Sequence, residues 1–538
     1  MRGRRWLRLM ALLFAFGLIA AACGDSDDDA ETEATTATTA GTEETTATTA
    51  GTEETTATTT GETTATTGEA PTEGGADLGS LASIEEVEAV WATERQAVVD
   101  MLTAGIESGE YGLGEDGIAR GPGGYEIDTN VCPADWSNTD GLTDTEVRWG
   151  YTTAQSGNLA AYGDIALGME SYYNYLNEQG GIGGRNIELI VKDDGYVASQ
   201  TIEAVDELLQ NENVFAITTL GSPNTFAVRD TLATACMPQM FSQTGHPAWG
   251  DPMNYPWTTG YQMDYYTEAA LWVQWIEENL ADQAPVKVGA LVMDNDFGLS
   301  YESGFEQFSE GSDVIAEFVV QKHDPAAPTV TNEVTTLAGE DLDVFISMTA
   351  GNPCLLAIQD AGRSGLLDTV TAAFTPSVCK GIEAYMAPAE TAADGWLIVG
   401  GGLKTSTDPQ FADEAFMQWM AERLEGDGLD PAVDLIATGF DNFAWVTGQT
   451  LLIANELPDG LTRTNLLLAA RSLELSAPAL LEGITFAVNG AEDPFFVEGS
   501  EFSRFNATDQ SWIQEGDVID LNGVQGNCAW NLEVSICE

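Results

Sequence analysis

Histidine is almost absent from this sequence, cations are scarce, and no apolar run reaches the length of a membrane span. The two histidines among 538 residues are His246 and His323, and neither HExxH nor GxSxG occurs. Imidazole-based hydrolysis and histidine-rich metal centres therefore have little to build on. Lysine and arginine number 19 against 86 aspartates and glutamates, a formal net charge of −67. A field of that sign repels a phosphate backbone and excludes nucleic acid as a partner. None of the seven cysteines stands in a CxxC or Cys/His spacing of the kind that holds zinc. The GGIGG run at residues 180–184 precedes a strand instead of following one, the wrong context for a dinucleotide loop. Residues 135–146 approach a calcium loop through Asn138, Asp140 and Gly141, but Trp136 takes the first ligand position and Val147 the closing one. No catalytic residue, metal or cofactor is expected, and the chain does not read as an enzyme.

What is present begins with Arg2, Arg4, Arg5 and Arg8 ahead of 14 apolar residues, 9–22. A bilayer-spanning helix needs ~20 residues, so residues 1–22 read as a cleavable signal peptide. Ile19-Ala20-Ala21-Ala22-Cys23-Gly24 looks like a bacterial lipobox, with Cys23 as the lipidated residue. The acyl chains would hold the protein on the outer face of the cell membrane. Residues 23–75 are rich in Thr, Ala, Glu and Gly, and GTEETTATTA at Gly41 recurs as GTEETTATTT at Gly51. Such a segment cannot bury a core and is expected to be a disordered tether. The other six cysteines, Cys132, Cys236, Cys354, Cys379, Cys528 and Cys537, are expected to form disulfides in an oxidising compartment.

Ser83-Ile84-Glu85-Glu86 has capping-box form, and Ile84, Val87, Trp91, Val98, Leu102 and Ile106 then share a helical stripe. This N-terminal helical extension, residues 76–145, includes a Gly-rich stretch at 109–124. The main body opens with a strand from Val147, a helix buried through Ile165, Met169, Tyr172, Tyr173 and Leu176, a strand at 187–191, a second helix, and a strand at 214–219. A second run of this kind follows Tyr261, with a helix capped by Asp264 and strands at 286–293, 344–347 and 396–399. Alternating strands and helices predict parallel sheets covered on both faces, and two such units exceed one core. The fold class is therefore α/β, with two Rossmann-like lobes and a hinge. Lobe 1 spans 146–260, lobe 2 spans 261–400, the crossover and return to lobe 1 span 401–475, and a C-terminal strand and loop extension spans 476–538.

The stretch VRWGYTTAQSGNLAAYGDIALGMESYYNYLNEQGGIGGRNIELIVKDD resembles the opening βαβ unit of a known family. That family is the type I periplasmic binding proteins of the branched-chain amino acid (leucine/isoleucine/valine) and amide-binding group. The likeness continues through Gly221-Ser222-Pro223-Asn224-Thr225, Pro238-Gln239-Met240-Phe241, Asp294-Asn295-Asp296-Phe297-Gly298, Asp343-Val344-Phe345-Ile346 and Ala393-Asp394-Gly395-Trp396. The resemblance implies an interlobe cleft that takes a small-molecule solute for the permease subunits of an ABC importer. It implies Ser222 as a carboxylate-holding serine, Thr244 and Gly245 as the loop completing that pocket, Tyr162 and Phe297 as aromatic walls, and Thr349 as a second-lobe contact. Ser156, in the Ser-Gly turn, is a further ligand candidate. Members that bind α-amino acids place a second-lobe carboxylate against the ligand ammonium, and here Phe374-Thr375-Pro376-Ser377 offers only Ser377. An unpaired buried ammonium costs several kcal/mol, so an amide, a urea-like solute or an apolar carboxylic acid is expected unless Asp296 substitutes. Adjacency of second-lobe strands favours a Cys354–Cys379 pair, and closeness in sequence favours Cys528–Cys537, which leaves Cys132 with Cys236. A monomer is expected. The alternative to delivery is a ligand-sensing receptor domain.

Overall fold

The computed structural model describes residues 75–524 and 526–531 and the backbone of Ile536–Cys537. The signal peptide, Cys23 and the tether up to residue 74 lie outside the described residues.

In the first lobe, β4 (Glu146–Thr153) is the central strand, flanked in parallel by β5 (Asn186–Asp193) and β6 (Ala216–Thr219). Isolated parallel bridges through Gln239 and Thr258 extend this sheet. From Gly150 onward β4 is buried at every residue, the mark of a parallel strand covered on both faces. Helix α2 (Asp164–Glu178) buries Ile165, Met169, Tyr172, Tyr173 and Leu176, the face its periodicity predicts. α2 makes the crossover from β4 to β5, α3 (Ala198–Glu207) that from β5 to β6, and α4 (Ser222–Thr234) follows β6.

The second lobe carries a seven-stranded sheet, ordered β13-β12-β11-β10-β9-β7-β8. Its parallel part is β7 (Val286–Met293), β8 (Ile315–His323), β9 (Val344–Met348), β10 (Ala372–Thr375) and β11 (Leu397–Val399). The sequence sets no bounds for β8 or β10, although pairing Cys354 with Cys379 presupposes a strand before Cys379. β8 is an edge strand whose apolar run is broken by Glu317, Gln321 and Lys322, and β10 is four residues long and starts with two alanines, which are depleted in strands. Helices α5 (Tyr265–Leu280), α6 (Asp296–Ser309), α7 (Thr331–Ala338) and α8 (Asn352–Ser364) pack around this sheet. Asp264 caps α5 by accepting from the backbone N–H groups of Tyr266 (2.9 Å) and Thr267 (3.0 Å). The C-terminal extension adds an antiparallel hairpin, β12 (Ser500–Asn506) and β13 (Ser511–Ile519), beside β11.

The chain passes between the sheets three times, before α5, after β11 and after the last helix. Following β11 it returns to the first lobe as α9 (Ala415–Gly426), α10 (Asp434–Thr438), α11 (Trp445–Glu456) and α12 (Arg463–Ala470). There α9 and α11 receive the N-terminal helix α1 (Ile84–Ser108). Trp91 is fully buried, with ring centroids 5.8 Å from Phe416 and 5.7 Å from Trp445, and its indole N–H donates to the Ser476 carbonyl at 2.7 Å. The N-terminal helix is thus part of the first lobe's core. The capping box closes differently from its sequence form: Ser83 makes no side-chain cap, and Glu86 accepts from the N–H of Ala82 at 2.9 Å. The Gly-rich stretch is no bare spacer, since β1 (Gly112–Leu113), β2 (Ile118–Arg120) and β3 (Glu126–Asp128) pair there as an antiparallel sheet.

Disulfides join Cys132 to Cys236 and Cys354 to Cys379, with Cα atoms 5.5 and 5.8 Å apart. Cys528 is also disulfide-bonded, and the side chain of Cys537 lies outside the described residues. Among the described residues no helix is long and apolar enough to cross a membrane. Replacing Trp91 with Ala should remove both ring contacts and the hydrogen bond, lowering unfolding free energy by ~3–5 kcal/mol. Urea denaturation will show it, and a loss near zero would mean that α1 is dispensable to the lobe.

Candidate ligand-binding site

Loops at the C-terminal ends of the parallel strands from both lobes converge on a cavity of about 130 Å³. That is close to the ~150 Å³ void that accommodates one benzene ring. Tyr162, Tyr196, Gly221 and Gln243 line it from the first lobe, and Tyr265, Phe297, Ala350, Ser377 and Lys380 from the second. Thr405, Asp434 and Asn442 come from the returning segment. The lobes touch around it: the Asn158 amide donates to the carbonyls of Pro325 (3.3 Å) and Ala327 (3.0 Å), across the cleft.

Local backbone explains the first-lobe wall. Gly221 has φ +91°, and a Cβ there would sit 2.4 Å from the Tyr196 ring, so only glycine lets that ring cover the start of α4. Behind Gly221 the buried Ser222 hydroxyl meets Thr244 Oγ1 at 2.7 Å, and Thr244 meets the Tyr265 hydroxyl at 3.3 Å. Gly245 accepts the Tyr265 N–H at 2.7 Å. Of the residues singled out from sequence, Tyr162, Phe297 and Ser377 line the cavity. Ser222, Thr244 and Gly245 stand behind it and reach it through Tyr265. Thr349 is buried next to Ala350, its hydroxyl 2.8 Å from that of Ser347, and Ser156 is exposed in the loop after β4. Asp296 does not line the cavity.

Charged groups in the wall were not legible beforehand. Lys380 donates to Glu501 of β12 and to the Leu403 carbonyl, both side chains of the ion pair being buried. Lys404 pairs with Glu414 at 2.6 Å. Asp434 opens α10 and accepts from the backbone N–H groups of Glu383 (2.7 Å) and Ala384 (3.2 Å) and from the Thr407 hydroxyl, so one carboxylate ties the returning segment to the second lobe. Burial raises its pKa. Beside it Asp441, bound by the Ser406 hydroxyl and by the Asn442 amide at 2.7 Å, is pushed up to about 7, again by burial. Glu268 of α5 stands behind Ser377, fully buried, and burial pushes it up to about 8. Among the described residues no group of three His, Cys, Asp or Glu side chains could hold a metal ion.

The raised Asp441 has a definite consequence for stability. Unfolding lowers its pKa from about 7 to 3.8, so the folded chain binds more protons in between and loses stability as pH rises through that window. Asp441→Asn abolishes this component. The melting temperature of the variant minus that of the wild type should therefore climb between pH 4 and pH 8; a constant difference in differential scanning fluorimetry would contradict the assignment.

Residues 146–488 match the family model of the periplasmic binding proteins. No curated protein matches the chain. Among solved structures, a fatty acid ABC transporter substrate-binding protein from Thermomonospora curvata is similar over 76% of this chain and 96% of its own, with a TM-score of 0.58 at 21% identity. A branched chain amino acid ABC transporter protein from Thermus thermophilus, with bound valine, has a TM-score of 0.59 at 14% identity over 70% and 97% of the two chains. A solute binding protein of an ABC transporter from R. palustris, in complex with benzoate, has a TM-score of 0.55 at 19% identity over 70% and 98%. These structures share the two-lobed fold. The family match spans most of both sheets and every residue that lines the cavity, and on it the chain belongs to the periplasmic binding protein family.

Proposed function

We propose that the chain is an extracytoplasmic solute-binding lipoprotein that captures one small molecule between its lobes and passes it to the permease subunits of an ABC importer. The observation that carries this reading is the cavity itself, lined from both lobes at the strand ends and of single-ring size. Apolar Ile165, Leu220, Phe297 and Phe443 supply a wall for a hydrocarbon body. The Thr405 residue borders the same space, while its Oγ1 is buried away from it and has no hydrogen-bond partner among the described residues. Both lysines in the wall are already paired with glutamates. The lining carboxylate of Asp434 is itself engaged by the Glu383 and Ala384 N–H groups and the Thr407 hydroxyl, so an amide, a urea-like solute or an apolar carboxylic acid suits the wall better than a zwitterion. The anchor is Cys23, the tether carries the folded part away from the membrane, and the protein acts as a monomer.

Capture is a hinge closure: the lobes rotate about the three connecting segments and the cleft closes over the solute. Differential scanning fluorimetry with benzamide, benzoate, urea and L-valine tests the solute class. At one hundred times Kd a ligand adds about 2.7 kcal/mol to stability, so benzamide or benzoate should raise the melting temperature by several degrees. A larger shift with L-valine would overturn the amide or carboxylate reading. Turnover of a probe would overturn the binding role. In small-angle scattering the radius of gyration should fall when a stabilising probe saturates the protein. Asn158→Ala removes the two cross-cleft hydrogen bonds, each worth ~0.5–1.5 kcal/mol, and should weaken that probe's binding by about five- to a hundredfold in calorimetry.

A further inference from the structure

Ser377 is the part of the cavity wall whose chemistry is least settled by its own side chain, because a hydroxyl can donate or accept. Its partner decides. The Glu268 carboxylate accepts the Ser377 backbone N–H on Oε1 at 2.7 Å. Its Oε2 lies 2.8 Å from the Ser377 hydroxyl and 2.7 Å from the Tyr301 hydroxyl. When Glu268 is ionised, both hydroxyls donate to Oε2, and Ser377 Oγ is left with only lone pairs for the cavity. When Glu268 carries a proton, that proton must sit on Oε2, since Oε1 faces an obligatory donor. A carboxyl O–H pointing to Ser377 Oγ then frees the serine hydrogen for the cavity.

On this geometry we propose that Glu268 is a positioning residue for ligand selection, setting through Ser377 whether the site accepts a hydrogen bond from the ligand or donates one to it. The inference rests on the solute-binding reading of the preceding section and narrows it. A ligand N–H or O–H at Ser377 is bound with loss of the Glu268 proton to solvent, and a ligand oxygen acceptor with its retention. Burial places the Glu268 titration at about 8, inside the range where both states are accessible. The titratable groups around the carboxylate are Tyr301 on α6 and Asp264 and Tyr265 on α5, while Lys380 is directed to Glu501 instead. Trp272 and Tyr265 stack on the Tyr301 ring and hold its hydroxyl in place.

The probes are benzoate, which only accepts, and benzamidine, which in its protonated form only donates. Calorimetric affinities between pH 6.5 and pH 9 should show the benzamidine-to-benzoate ratio rising about tenfold or more in the wild type, in step with the ionised fraction of Glu268. Glu268→Gln must keep its oxygen toward the Ser377 N–H, so its amide nitrogen donates to Ser377 at every pH. That variant should hold the benzoate-favouring ratio with no pH dependence. Ser377→Ala retains the charge on Glu268 but not the relay, and should lose most of the rise; a Ser377→Ala profile equal to that of the wild type would overturn the proposal. Independently of any ligand, the Ser377 backbone amide proton in NMR should titrate with a midpoint near 8 in the wild type and not in Glu268→Gln. A flat amide shift overturns the inference whatever binds. A titrating amide in a protein that binds neither probe upholds the Glu268–Ser377 coupling and counts instead against the solute class proposed above.

Discussion

A parallel sheet covered on both faces has nowhere to meet a ligand except at the ends of its strands, and everything in this molecule follows from having two such sheets with those ends opposed. β4 is buried from Gly150 to its end, and β7 is buried at every residue but one. Over those buried stretches neither strand offers a side chain to solvent. The segments that follow β4, β7, β9 and β10 are therefore where Tyr162, Phe297, Ala350 and Ser377 are delivered to a common space.

The same constraint explains how much could be read beforehand. β7 was recognisable because it is a continuous apolar run, and α2 because its stripe keeps a helical period. β8 and β10 were hidden: one faces water on its outer side and the other is too short and too alanine-rich to signal. Tyr162 and Phe297 were within reach because each follows a strand that could be recognised, and Ser377 through the family resemblance of residues 374–377. Glu268 was not, since a glutamate in the first turns of an amphipathic helix looks like a solvated residue, and its partner Ser377 lies 109 positions away. Lys380 and Glu501 are 121 positions apart, and no local pattern joins them.

Electrostatics inside the cavity differ in character from the acidic exterior. The chain as a whole carries a formal charge of −67, yet the wall holds two lysines, each matched to a carboxylate, and acids whose pKa values burial has raised. Buried charges survive where they are paired and hydrogen-bonded or where they can take up a proton. Asp434, Asp441 and Glu268 sit where segments from different parts of the chain meet, so their cost is offset by the connections they make. Burial thus raises the pKa of the interior acids while the chain as a whole remains strongly anionic.

Placing Glu501 on the hairpin that closes the second sheet has a consequence for the order in which the molecule can be completed. A chain made from its N-terminus has both halves of the cavity wall in hand once Phe443 has emerged, but Lys380 then lacks its counter-ion and β11 is still an open edge. Open strand edges invite association with other chains. Only when β12 arrives are the edge and the lysine satisfied together, so the solute cavity is among the last things this polypeptide finishes, and a truncation between residues 443 and 501 leaves Lys380 without its counter-ion and β11 without its neighbour.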